Sequence, residues 1–239
     1  MNESNLPITG TDLAGSLPVF PKHPDRISEA PNVEGMAGAL SHNVKLSDFR
    51  HKRLLFNEIR HPGRYHVYSV DCRAGERLRV QMYVPVLKWH NAITPAFAVI
   101  AQSLPYSADA HKLPVAIPAG YSAVVAPPPN ALGVPIRDAL THAYYYPGPL
   151  IDTTTLVSGR CYIIAWSPGN RLGKYVLQTG HRWPWGWTYW LQLPRFWWQI
   201  RGWFGLSRLA AYFVAAGLLA VGLWLFNIIS SKNNHATEE

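Results

Sequence analysis

The stretch YHVYSVDCRAGERLRVQMYV, residues 65–84, reads as strand, turn, strand. Tyr65–Val70 is rich in Tyr and Val, which suit a pleated, half-buried surface. Ala74-Gly75-Glu76 forms the turn, and Gly75 is free to take a positive φ. Leu78, Val80, Met82 and Val84 then alternate with Arg77, Arg79, Gln81 and Tyr83, the period-2 pattern of a half-buried strand. The pair is expected to be a β-hairpin. Further strand signals follow. AFAVIA (96–101) is a short apolar run of the kind buried on both faces. Val115–Ile117 and Tyr121–Val125 flank Pro118-Ala119-Gly120. Thr153–Val157, CYIIAW (161–166) and KYVLQT (174–179) complete the set, the last two as a second hairpin closed by Gly180. Seven or eight short strands at near-regular spacing predict a mainly β domain, a jelly-roll-like β-sandwich. Residues 126–150, broken by Pro127, Pro128, Pro129, Pro135 and Pro147, are expected to be loop, edge strand or polyproline II. Residues 44–60 fit either a strand and turn or a short helix.

The residues Tyr65-His-Val-Tyr-Ser-Val-Asp-Cys-Arg-Ala-Gly-Glu-Arg-Leu-Arg-Val-Gln-Met resemble the strand–AGE–strand opening of bacterial pre-peptidase C-terminal-like domains. Val157-Ser-Gly-Arg-Cys-Tyr-Ile-Ile-Ala-Trp and Gly173-Lys-Tyr-Val-Leu-Gln-Thr-Gly resemble that family's final hairpin. The likeness covers about residues 62–180. It implies a small jelly-roll-like sandwich with no catalytic site, used as an accessory or interaction module and usually exported.

Chemistry-bearing motifs are sparse. Ser122 in Gly-Tyr-Ser-Ala lacks the second glycine of a nucleophile elbow, and there is no P-loop or dinucleotide fingerprint. Between residues 62 and 180 the carboxylates are Asp71, Glu76, Asp109, Asp138 and Asp152, too scattered to indicate a paired acid and base. Ten histidines, including His42, His51, His61 and His66, show no compact ligand spacing. Cys72 and Cys161 belong to no C-x-x-C; they pair only if their strands are neighbours in an oxidising compartment, and otherwise stay buried thiols. The expectation is no catalytic residue, no cofactor and no metal. Tyr144, Tyr145 and Tyr146 form an aromatic cluster that offers a platform for carbohydrate or lipid.

The carboxy-terminal quarter has a different character. HRWPWGWTYWLQLPRFWWQIRGWFGLSR (181–208) holds Trp183, Trp185, Trp187, Trp190, Trp197, Trp198 and Trp203. Indole rings favour the headgroup layer, so this reads as an interfacial collar. From Arg195 to Arg208 the polar Arg195, Gln199, Gly202 and Arg208 oppose Phe196, Trp197, Ile200, Trp203 and Phe204, as in a helix lying in the interface plane. LAAYFVAAGLLAVGLWLFNII (209–229) has no charge and only Asn227 as a strongly polar side chain. At about 1.5 Å per residue it matches a ~30 Å hydrocarbon core, predicting one transmembrane helix. Ala211 with Ala215, and Ala216 with Ala220, give small-xxx-small spacings for helix packing, with Gly217 and Gly222 adding small positions.

The formal charge is +8, and no Asp or Glu occurs between Asp152 and Glu238. The basic residues there, Arg195, Arg201 and Arg208 among them, suit anionic lipid or an acidic protein partner. No nucleic-acid module accompanies them. The chain therefore divides into an extended arm (1–43), the sandwich (44–180), the collar (181–208), the span (209–229) and a polar tail (230–239). The first 26 residues contain no apolar signal-peptide core, and three arginines precede the span while Lys232 alone follows it. Both observations predict a bacterial inner-membrane protein with its sandwich in the cytoplasm; the family likeness implies the periplasm instead. The expected function is a non-enzymatic accessory subunit that stabilises or assembles a membrane complex of the photosynthetic or respiratory kind. Its partners would be the bilayer and other membrane subunits, with no nucleic acid. The alternative is a membrane-tethered carbohydrate- or lipid-binding module.

Overall fold

The computed structural model describes residues 17–20, 43–46, 49–87, 93–105, 107–183, 186–209, 212–214, 216–217 and 219–224. Eleven strands form two sheets: β1 Leu17–Val19, β2 Val44–Lys45, β3 Arg53–Ile59, β4 Tyr65–Cys72, β5 Arg77–Pro85, β6 Ala96–Gln102, β7 Tyr121–Ala126, β8 Ile136–Arg137, β9 Tyr144–Thr154, β10 Gly159–Trp166 and β11 Gly173–Thr179. A helix, α1, spans Trp187–Trp203. The six-stranded sheet has the order β1-β3-β11-β5-β9-β8, and the five-stranded sheet has the order β2-β4-β10-β6-β7. Pairing is antiparallel except at one edge of each sheet, where β1 joins β3 and β2 joins β4 in parallel. The mainly β, two-sheet sandwich is as expected.

The two expected hairpins are not hairpins. β4 belongs to the five-stranded sheet and β5 to the six-stranded one, so the turn at 73–76 crosses the sandwich. The same holds for β10 and β11. The apolar faces are the cause. Tyr68, Val70 and Cys72 on β4 and Leu78, Val80 and Met82 on β5 share one buried core, so the strands face each other across the sandwich. Gly75 takes φ +77 in this arch. Its N–H donates to Thr155 O at 2.7 Å, and the Thr155 hydroxyl donates to Arg73 O at 2.7 Å. That links the β4–β5 arch to the β9–β10 connection, which also changes sheets.

Among the described residues of 44–60, β2 and β3 are strands and no helix forms, with Leu55 and Ile59 in the inter-sheet core and Leu54 and Phe56 on the opposite face. β9 runs through Pro147 and Pro149, in the stretch expected to be loop, edge strand or polyproline II. The ladder with β5 shifts register between Gln81 and Tyr83, opposite these prolines, and β8 pairs only with Tyr144 and Tyr145. Beyond them β9 is in effect an edge strand, where a missing N–H is tolerated.

Inside the core, a polar chain crosses between the sheets. The Asn57 amide donates to the Tyr68 hydroxyl at 2.9 Å, Tyr68 and Tyr175 share a hydrogen bond of 3.0 Å, and Tyr175 meets His66 Nδ1 at 2.7 Å. Burial pushes the Tyr68 phenol up to about 12, against the pull of its two hydrogen bonds.

Both sheets are apolar on their outer faces as well. Outside the five-stranded sheet, Val67, Ala98, Ile100, Val125, Ile164 and Trp166 are covered by Leu113, Val115 and Ile117, from the segment after a 3-10 turn at Ala108–Lys112. Outside the six-stranded sheet, Leu54, Phe56, Tyr83, Tyr145 and Val176 are covered by Ile200, Trp203, Phe204 and Leu206.

Candidate functional site

That second cover is the collar. It reaches the sheet through Gly180, which takes φ +84 at the end of β11. A Cβ there would lie 2.3 Å from His51 O and 2.9 Å from Phe49 O, so no side chain fits. His181 and Arg182 N–H both donate to Arg50 O, and Lys52 N–H donates to Arg182 O at 2.7 Å, fixing the exit of the chain. α1 follows, with Ile200 and Trp203 near its carboxy-terminal end packed on the outer face of the six-stranded sheet. Its carboxy-terminal end is held where Lys174 Nζ donates to Trp203 O at 2.8 Å.

α1 continues through Pro194. It ends in a Schellman motif: Gly205 takes φ +67, its N–H donates to Gly202 O, and Leu206 N–H donates to Arg201 O. Arg201, in the last turn, suits the negative end of the helix dipole. Its Nη1 donates to Thr141 O at 2.8 Å and its Nε to Ser207 O at 2.8 Å. Arg208 folds back over Gly202, where a Cβ would lie 1.5 Å from its Nη2.

The expected division of the helix into a polar side and a lipid side does not hold. Phe196, Ile200 and Phe204, assigned to the lipid side, are buried, and Ile200 and Phe204 lie against the sheet. Phe56 meets Trp203 edge-on at 5.1 Å, and Tyr145 meets Phe204 edge-on at 5.1 Å. The reason is that Leu54, Phe56, Tyr83 and Val176 give the sheet an apolar outer face, and this stripe covers it. The opposite side of α1 is also apolar. Trp187 is 80% exposed, Trp190 53% and Leu191 69%. They fall at spacings of three and four residues, together with Pro194 and Trp198.

The tryptophans divide into two groups. Trp183, Trp197, Trp198 and Trp203 are half-buried. Each has a cation over its ring: Lys52 at 4.4 Å, Arg201 at 4.9 Å, Arg208 at 4.4 Å and Lys174 at 4.9 Å. Trp187 and Trp190 have no cation over them among the described residues. Arg195 and Arg182 are exposed. Trp185 lies outside the described residues.

Beyond α1, the described residues among 209–224 are helical and exposed, including Leu209, Phe213, Val214, Leu219, Leu223 and Trp224. Tyr212 meets Trp198 edge-on at 5.6 Å. Among the described residues no helix is long and apolar enough to cross a membrane, so the expected transmembrane helix is not carried by them. Ala216 and Ala220 are exposed; Ala211, Ala215 and Asn227 lie outside the described residues, as do the polar tail and most of the arm.

The three tyrosines do not form one surface. Tyr145 is 1% exposed and packs on Tyr83, while Tyr144 is exposed and Tyr146 half-buried. Alternation along β9 sends Tyr145 to the opposite face from its neighbours. Cys72 and Cys161 are free thiols on hydrogen-bonded strands, offset by two rungs. The adjacent Cys161 thiol and burial hold Cys72 far above the ordinary thiol range. The five carboxylates between residues 62 and 180 are all engaged. Asp71 binds Lys45 at 3.0 Å, Glu76 binds Arg50 at 2.8 Å, and Asp109 binds Lys112 at 2.6 Å. Asp152 accepts from Arg77 at 2.7 Å, and Asp138 accepts from Thr141 N–H at 2.8 Å. Among the described residues no group of three or more His, Cys, Asp or Glu is placed to hold a metal.

No protein-family model matches the chain. None of the curated proteins matches it. Among solved structures, it is similar to PliG of Aeromonas hydrophila, a periplasmic inhibitor of g-type lysozyme, with 12% identity, a TM-score of 0.34, and coverage of 58% of this chain and 94% of that one. It is also similar to the pre-peptidase C-terminal domain of a Bacillus anthracis collagenase, with 10% identity, a TM-score of 0.31, and coverage of 56% and 91%. At these identities and scores neither neighbour bears on what the chain does.

Proposed function

We propose that the chain is a non-enzymatic, membrane-anchored accessory subunit, a jelly-roll-like sandwich that stabilises or assembles a larger membrane protein complex. The observation that carries this reading is the row of exposed, apolar, helical residues among 209–224, pinned to the domain through Trp198 and Tyr212. Such a row has no place in water. The uncharged run continues to Ile229, long enough for a span. The absence of carboxylates from 153 to 237 suits a surface that meets lipid headgroups. Arg195, Arg201 and Arg208 on the amino-terminal side, against Lys232 beyond, assign the sandwich to the cytoplasmic side.

Membrane fractionation and mild-detergent purification of the full chain, with mass spectrometry of what copurifies, test the reading. The expected result is a chain that alkaline carbonate does not extract and that carries stoichiometric partners. A carbonate-soluble chain overturns the anchor, and a clean monomer overturns the accessory role. The side follows from labelling Val134→Cys, at a site that is 81% exposed. Modification by an impermeant reagent added outside the inner membrane would overturn the cytoplasmic assignment.

A further inference from the structure

We infer that α1 lies along the membrane plane in the headgroup layer, with Trp187, Trp190 and Leu191 inserted, so that the six-stranded sheet faces the lipid and the five-stranded sheet faces away. This rests on the membrane reading above and adds an orientation to it. Three observations carry it. First, α1 is apolar on two opposite sides, and only one is used by the protein. Tyr189, Phe196 and Ile200 are buried, while Trp187 and Leu191 point to the other side. Second, the cations sort the tryptophans. Four rings are each covered by a lysine or arginine of the same chain, and among the described residues no cation lies over Trp187 or Trp190.

Third, contacts among the described residues tie α1 to the apolar residues after it. The Schellman turn, the bonds from Arg201 to Ser207 O, Arg208 over Trp198, and the Trp198–Tyr212 contact fill the connection. A span leaving from Leu209 therefore draws α1 down to the surface with it. Lipid fits this face better than a protein. Arg195 is exposed on the same helix, and no Asp or Glu occurs from 153 to 237, a composition matched to indole and guanidinium among anionic headgroups. The cover of the other sheet lies on the far side. Its exposed residues include His111, Lys112 and Ala116.

The test uses the full chain in vesicles containing anionic phospholipid, with nitroxide labels on Trp187→Cys, Leu191→Cys and Ala116→Cys in turn. Cys72 and Cys161 are buried and stay unlabelled. Each variant is first checked for an unchanged melting temperature. The expected result is that labels at 187 and 191 are relaxed by oxygen and shielded from a water-soluble nickel chelate, while the label at 116 is fully open to the chelate. If the chain is bound but 191 is as open to nickel as 116, the orientation is wrong and the anchor stands. If 187 and 191 are shielded from both reagents, a protein covers this face and the inference is overturned. A chain that does not associate with the vesicles overturns the membrane reading itself, and the orientation with it.

Discussion

The two outer faces of the sandwich are equally apolar but are sealed by different devices. The five-stranded sheet is covered by a short irregular segment, Leu113 to Ile117, entered from a 3-10 turn whose His111 and Lys112 are exposed. The six-stranded sheet is covered by a helix that keeps a second row of large apolar side chains outside. One cover ends the apolar interior at water, and the other passes it on. The difference shows that a sheet face can be completed by an element whose main business lies on its other side.

The largest expected effect comes from removing the route to the helix. Gly180→Ala sets a Cβ against His51 O and a residue into left-handed backbone, and should cost more than about 3 kcal/mol in a denaturant midpoint measured in mild detergent. Next, Phe204→Ala should cost about 3–5 kcal/mol, whereas Leu113→Ala, on the half-buried cover of the other sheet, should cost about 1 kcal/mol. Equal values would mean that the two covers contribute alike. Lys174→Met removes both the bond to Trp203 O and the contact with its ring, with an expected loss of about 1–2 kcal/mol by thermal melting. Trp187→Ser should change melting by less than about 0.5 kcal/mol. A larger change would place its ring in the fold rather than outside it.

The smallest effect concerns pH. Burial first, then Arg77 and Arg182, hold the His181 imidazole below its ordinary range. The unfolded chain thus takes up this proton more readily. Its contribution to stability is complete above about pH 6.5 and declines as pH falls through the lower folded value. His181→Gln should flatten the melting temperature over that interval; an unchanged slope would assign the dependence elsewhere.

Most strands were legible because β-branched and aromatic residues alternate or run together between turn residues. Their partners were not. A Gly-containing turn joins Cys72 to Arg77 whether the strands lie side by side or face to face, and only the shared burial of Val70 and Val80 tells the two apart. β9 hid behind its prolines, since Pro147 and Pro149 are harmless only where the neighbouring strand stops. The docking of α1 was unreadable from periodicity, because a helix apolar on two opposite sides does not say which side meets protein. Its signal lay elsewhere, in Leu54-Leu55-Phe56, three adjacent apolar residues that demand cover on both faces of β3. The split of the three tyrosines follows only once β9 is known to be a strand, because alternate residues of a strand point to opposite faces.

β1 and β2 are only three and two residues long, yet each occupies the outer flank of a longer strand. Without them β3 and β4 would present open rows of amide and carbonyl groups, ready templates for a second chain. They are therefore edge guards, and their loss should be felt as self-association before it is felt as unfolding. A protease that trims the amino-terminal residues would leave β3 and β4 as open, sticky edges.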